Sequence, residues 1–77
     1  MAPMPFRPVL LLELNDAVLR AGGSSSADLA AWLANRRYRI YELFPHRFRR
    51  LDPPVTCAFA DCICLPEEHA ADVLASL

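Results

Sequence analysis

Residues 9–14 decide the fold class, and they run Val-Leu-Leu-Leu-Glu-Leu. A continuous apolar run of this length is typical of a strand that is covered on both faces, as in a parallel sheet. Residues 1–8 contain Pro3, Pro5 and Pro8, which favour an extended lead-in. We therefore expect a buried strand at 9–14, preceded by a segment that adds little to the core.

Two helices are predicted to follow this strand. Asn15 and Asp16 can cap a short helix that ends at Arg20 or Ala21, and the Gly22-Gly23 pair then supplies a positive φ. A second helix of about ten residues is predicted from Ala27, because Ser and Asp at positions 25 and 28 form a capping-box pattern before an amphipathic run.

The second half of the chain predicts two more strands and a terminal helix. Residues 38–44 are rich in aromatic and β-branched residues, and residues 62–65 form an apolar run that Pro66 ends. Residues 46–54 are basic and bounded by proline, which favours a surface loop or a poorly formed hairpin arm. Residues 67–77 indicate a helix with acidic residues at its start. Such alternation is typical of an α/β architecture.

Length and composition limit the function. A chain of 77 residues forms one domain at most and has little room for an enclosed pocket. No apolar run approaches the roughly 20 residues that cross a bilayer, and the proline-rich start does not match a signal peptide. We expect a cytoplasmic protein without a membrane partner. The only glycines are Gly22 and Gly23, so a glycine-rich cofactor loop is not predicted.

The cysteines raise the alternative of a zinc site. Cys57, Cys62 and Cys64, with His69 or His46 as a fourth ligand, would provide enough donors. Their spacing lacks the paired knuckles of structural zinc sites, and positions 62 and 64 of a strand face the same way. We therefore interpret them as buried thiols and predict no metal site.

An arginine cluster raises the alternative of nucleic acid binding. Six arginines lie between positions 36 and 50, interleaved with tyrosine and phenylalanine, and such clusters can bind phosphates and stack on bases. The net charge of −1 and the need for aromatic residues in the core argue against this function. We do not expect a nucleic acid partner.

Together, four segments resemble the C-terminal part of FkbM-type methyltransferases. They are residues 8–15 (Pro-Val-Leu-Leu-Leu-Glu-Leu-Asn), 29–33, 38–43 (Tyr-Arg-Ile-Tyr-Glu-Leu) and 62–66 (Cys-Ile-Cys-Leu-Pro). The resemblance implies that residues 9–77 are the C-terminal segment of a class I, Rossmann-like α/β domain, with about three strands and two to three helices. It also implies that the last strand inserts antiparallel into the sheet.

The same resemblance implies S-adenosylmethionine as the cofactor of the full-length family, although no residue here matches its cofactor-binding motifs. By analogy Glu13 and Asn15 would face the acceptor substrate, while the residues alone allow Glu13 simply to solvate a loop. Arg37 stands where the family usually has glycine before the tyrosine, so the turn into that strand needs strain or a left-handed Asn35. No catalytic residue is predicted.

Two hypotheses follow. The first is a C-terminal methyltransferase fragment without methyl transfer of its own, which would at most complete a site on a complementing methyltransferase chain. The second is a small interaction module that forms a homo-oligomer through its open sheet edges.

Overall fold

The computed structural model describes residues 7–76, so that residues 1–6 of the predicted lead-in and residue 77 of the predicted terminal helix lie outside the described part. The strands are β1 (Leu10–Asn15), β2 (Tyr38–Phe44), β3 (Arg47–Leu51) and β4 (Phe59–Pro66), and the helices are α1 (Asp16–Ala21), α2 (Ser26–Asn35) and α3 (Ala70–Ser76), with a 3-10 turn at Glu67–His69 before α3. The predicted α/β class is confirmed, with four strands where about three were expected.

The strands form one open sheet in the order β1-β4-β2-β3. Every neighbouring pair is antiparallel. Since β4 is antiparallel to both β1 and β2, those two strands run in the same direction with the last strand inserted between them. The prediction of an antiparallel last strand is confirmed, whereas the prediction that β1 pairs in a parallel sheet is wrong.

Each face of the sheet carries its own apolar cluster. On the first face, the even-numbered residues of β1 and β4 pack with Ile40 of β2 and with Ala30 and Leu33 of α2. On the second face, Tyr41, Ile63 and Leu65 pack under α3. The sheet therefore lies between helices, but α3 has only seven residues and contacts mainly β4.

The prediction that β1 is covered on both faces is wrong. Burial alternates along the strand, so that Leu14 is fully buried while Leu11 on the second face is 73% exposed. This alternation could not be predicted from the apolar run, because leucine occupies both the core positions and the exposed position. β1 is an edge strand whose second face lies beyond the reach of α3.

The prediction of a loop or poorly formed hairpin at 46–54 is also wrong for residues 47–51. They form β3, which pairs with β2 in a regular register from Phe44 opposite Arg47 to Ile40 opposite Leu51. The signal was the two-residue separation between the strands, which is the length of a tight hairpin turn. Arginine at three of five positions masked it, although edge strands commonly carry charge.

The predicted helix signals are confirmed. The Asn15 side chain accepts a hydrogen bond from the Val18 N–H at 3.3 Å, and the Ser25 hydroxyl accepts one from the Asp28 N–H at 3.0 Å. Gly23 supplies the positive φ, at 88°. α2 begins one residue earlier than predicted.

The turn from α2 into β2 forms with Arg37 itself in the left-handed region, at φ 60°. Asn35, the alternative residue for this conformation, is the last residue of the helix. The Arg37 N–H donates to the Ala34 carbonyl at 3.0 Å, and the Arg37 carbonyl accepts from the Glu67 N–H at 2.8 Å. The position thus has the conformation that glycine would favour, held by bonds on both sides.

Candidate interface at the β1 edge

The outer edge of β1 presents backbone groups that are free to pair. The Asp16 N–H donates to the Ala58 carbonyl at 2.9 Å, in continuation of the β1–β4 register. Hydrogen bonding alternates along an antiparallel ladder, so the backbone N–H and C=O groups of the even-numbered residues of β1 point toward β4. The N–H and C=O groups of Leu11 and Glu13 therefore point outward, and no strand among residues 7–76 pairs with this side of β1.

Exposed apolar side chains surround this edge. Val9 is 40% exposed, Leu11 73% and Phe59 52%. Phe59 lies opposite Asn15 in the register, on the second face of the sheet. A largely apolar strand of six residues with one side unpaired is the kind of edge that accepts another strand.

Two carboxylates occupy the same part of the second face. Glu13 lies directly opposite Asp61, and both side chains are exposed. Like charges in directly opposed positions destabilise a sheet, because their repulsion is not offset by a packing gain. Glu13 thus contributes negative charge to the edge.

The structure gives Asn15 and Asp16 local structural tasks. Asn15 is the N-cap of α1. The Asp16 carboxylate accepts a hydrogen bond from the Ser26 N–H at 2.9 Å and forms an ion pair with Arg20 at 2.6 Å. These bonds, the one from Ser26 first, lower the pKa of Asp16. Asn15 and Asp16 therefore fix how α1 leaves the strand and how α2 begins.

The segment that leads into β1 is anchored by Arg7. Its guanidinium contacts both oxygens of Glu68, at 2.8 and 2.5 Å, and also donates to the carbonyls of Arg36 and Arg37. Principally through the hydrogen bonds from Arg7, the pKa of Glu68 falls to about 2. The Tyr38 hydroxyl adds a bond to the Pro8 carbonyl at 2.8 Å. The start of β1 is therefore held beside β2 and the beginning of the C-terminal helix.

The predicted arginine cluster is largely engaged within the chain. Arg49 pairs with Glu42 at 2.7 Å and Arg50 with Asp52 at 2.9 Å. The Arg36 guanidinium lies 3.6 Å from the centre of the Trp32 ring.

The two remaining contacts in the cluster are longer. Arg47 lies 4.5 Å from the centre of the Phe44 ring, and Arg39 lies 3.9 Å from the Glu67 carboxylate. Tyr41, one of the aromatic residues that could have stacked on a base, is buried under α3. These contacts link the arginine side chains to other parts of the chain.

Two of the cysteines lie in the core. Cys62 and Cys64 are buried on the first face, as their spacing predicted, and burial raises their pKa values to about 12 and about 11. Both are therefore protonated thiols near neutral pH. Within residues 7–76, no three His, Cys, Asp or Glu side chains are arranged to hold a metal ion.

A groove of about 370 Å³ lies at the opposite edge of the sheet, between β3 and residues 52–57. It is open to solvent and lined partly by Arg49 and Arg50. Since β1 and β3 are the two outer strands, this groove does not include Glu13 or Asn15. The structure thus does not bring the predicted substrate-side residues to this groove.

Open sheet edges were expected from the sequence, but β1 was not identified as one of them. The available signal was the absence of lysine, arginine and proline from Val9 to Leu14, which are residues that commonly protect an edge. That signal becomes meaningful only when the strand is known to be at an edge.

Comparisons with protein-family models, with curated proteins and with solved structures found no match to this chain. Among the described residues, no helix has the length and apolar character needed to cross a membrane.

Proposed function

We propose that this chain is the C-terminal section of an FkbM-type, S-adenosylmethionine-dependent methyltransferase. It transfers no methyl group by itself, and its β1 edge is where the sheet continues into a complementing cofactor-binding half. The proposal rests on the resemblance of the strand segments to the end of that family.

The order β1-β4-β2 is the observation that carries the proposal. Two strands run in the same direction, are joined through α1 and α2, and receive the last strand of the chain antiparallel between them. This is the arrangement that the resemblance implied for the end of the domain. Consecutive antiparallel hairpins would instead have placed β2 beside β1.

The backbone at Arg37 is also compatible with the proposal. The family usually has glycine at this position, and the backbone here has a φ of 60°, which glycine adopts without steric cost. The turn therefore has the left-handed backbone conformation that glycine in the family motif would favour, although the residue here is arginine. Arg7 helps to hold the strained turn by donating to the Arg37 carbonyl at 3.2 Å.

The role of each predicted residue follows from its position. Glu13 is exposed beside the open edge, where a neighbouring half of the domain could reach it. Asn15 caps α1 and is engaged in that task. In this proposal the chain forms part of the acceptor-substrate site, to which it contributes Glu13. The complementing half binds the cofactor.

Complementation tests the proposal. The chain is mixed with an FkbM-type methyltransferase from which the corresponding C-terminal section has been removed, and S-adenosylmethionine binding is followed by calorimetry. We expect no binding by this chain alone, and tighter binding by the one-to-one complex than by the truncated methyltransferase alone. The variant Leu11→Pro is the matched control, because it removes an outward N–H without removing a β1–β4 bond.

Two results would contradict the proposal. Failure of the two parts to form a complex would mean that β1 does not continue into such a sheet. Binding of S-adenosylmethionine by this chain alone, at micromolar affinity, would mean that it has a cofactor site of its own.

A further inference from the structure

We infer that the β1 edge of this chain also pairs with the same edge of a second copy, antiparallel, with a two-fold axis at Leu11. The inference rests on the proposed function only in treating β1 as the edge where the sheet continues. It concerns the chain in the absence of a complementing half. The resulting dimer would have one continuous sheet of eight strands, with β3 at both ends.

The backbone of β1 is suited to this pairing. The outward-pointing groups belong to the odd-numbered residues, so a two-fold axis at Leu11 places Leu11 opposite Leu11 of the second copy. Val9 then lies opposite Glu13, and the symmetry repeats this pair. Each of these is a hydrogen-bonded pair in an antiparallel ladder, which gives about six bonds in total.

The side chains in this register are almost entirely apolar. Leu11, which is 73% exposed in the single chain, contacts its own counterpart on the second face. On the first face, Leu10 lies beside Leu12 of the second copy, and both are only partly buried in the single chain. The dimer would therefore join the apolar clusters of two chains across the edge.

Charge disfavours the registers in which the axis lies closer to Glu13. An axis at Leu12 would bring the two Glu13 side chains to diagonal positions roughly 8 Å apart, next to both Asp61 carboxylates, and an axis at Glu13 would place them directly opposite. With the axis at Leu11, the two Glu13 residues lie about 14 Å apart, because each residue advances about 3.4 Å. Of the two outward-pointing centres in the middle of β1, Leu11 and Glu13, Leu11 therefore keeps the acidic residues further apart.

The other edge does not offer an equivalent surface. β3 presents Arg47, Arg49 and Arg50 within five residues, so pairing two copies there would bring like charges together. The single acidic residue of β1 lies near the end of the strand, where an antiparallel partner can avoid it. Pairing through β1 is therefore the self-association that the charge distribution permits.

The mass of the chain in solution tests the inference. Light scattering over a range of concentrations should give twice the chain mass for the natural sequence and the single-chain mass for Leu11→Pro. Leu11→Lys is a second variant, because it retains the N–H and places two charges at the axis. Circular dichroism verifies that each variant is folded.

Cross-linking tests the register. Leu11→Cys should form a disulfide-linked dimer on mild oxidation, because opposed residues of a hydrogen-bonded pair have Cα atoms about 5.5 Å apart, within disulfide range. Glu13→Cys is the matched control and should not link to itself. The natural sequence controls for the native cysteines, of which Cys62 and Cys64 are buried.

Three results would overturn the inference. They are a monomer at all concentrations for the natural sequence, a dimer that survives both Leu11 variants, and cross-linking of Glu13→Cys as efficiently as Leu11→Cys. If the natural chain is monomeric and still complements a cofactor-binding half, only this inference fails. If it dimerises and does not complement, only the proposed function fails.

Discussion

The two outer strands of the sheet, β1 and β3, differ in charge and in burial. β1 has one charged residue, Glu13, and otherwise apolar side chains apart from Asn15, and it is anchored by the fully buried Leu14. β3 has three arginines among its five residues, and four of its five side chains are exposed. β1 is thus packed into the core, and the backbone groups on its outer side are unprotected. β3 is largely exposed, and its arginines protect its outer side.

Side-chain charge distinguishes a sheet edge that is protected from one that is open to another strand. Proteins commonly protect an exposed edge with charge, proline or short length, because unpaired backbone groups invite other strands. β3 follows this rule through its arginines. β1 does not follow it, and this is why we propose that the sheet continues at β1.

Shortening the buried Leu14 side chain of β1 should reduce stability more than any other change considered. Leu14→Ala removes a fully buried side chain and should lower the free energy of unfolding by about 3 kcal/mol, enough to unfold much of a chain this small. Phe48→Ala in β3, where the ring is 41% exposed, should cost about 1 kcal/mol or less. Urea denaturation measures both, and equal losses would contradict the contrast between the edges.

Arg37→Gly should stabilise the chain without changing either outer strand. Glycine adopts a φ of 60° without the steric cost that a side chain adds, so we expect a gain of about 1 kcal/mol in the free energy of unfolding. Because the Arg37 bonds use backbone atoms, the substitution should leave them intact. A loss of stability in the same denaturation measurement would mean that the Arg37 side chain has an essential contact.

Glu68→Gln should weaken the anchor of the segment before β1 and change the acid response. The pKa of Glu68 is about 2 in the folded chain and is ordinarily 4.5, so its ion pair stabilises the fold above about pH 4.5 and is lost as the pH falls toward 2. The variant should therefore unfold at lower urea than the natural chain at pH 7, and the difference should shrink below pH 4.5. A difference that does not depend on pH would exclude the ion pair as its cause.

The smallest effect is expected at β3. Glu42→Gln removes the ion pair with Arg49, which is a cross-strand pair with an exposed guanidinium, and should cost about 0.5 kcal/mol. The loss should decrease in 1 M salt, since salt screens exposed charges. A loss as large as that of Leu14→Ala would mean that β3 is an anchored strand like β1.

Much of the fold could be predicted from local signals. The caps at Asn15 and Ser25, the positive φ at Gly23 and the end of β4 at Pro66 are all short-range features, and each is found in the structure. β3 was missed because its charge resembles that of a loop. The exposure of Leu11 was missed because periodicity is not visible where both faces carry leucine.

The candidate site could be predicted only in part. Glu13 was identified from its place at the end of an apolar strand, but its opposition to Asp61 depends on the β1–β4 register, which joins residues 48 positions apart. The anchor between Arg7 and Glu68 likewise spans 61 positions. No local pattern encodes such pairs.

Local sequence signals were sufficient to predict the helices and the three more apolar strands, because capping, turn chemistry and apolar runs act over a few residues. The strand character of β3 and the order of the strands, and therefore which of them is an edge, are tertiary properties. Strand order depends on how α1, α2 and the last strand pack together across the whole chain. β1 is an outer strand because of this packing. The same six residues would form an inner strand if another strand paired with their outer side.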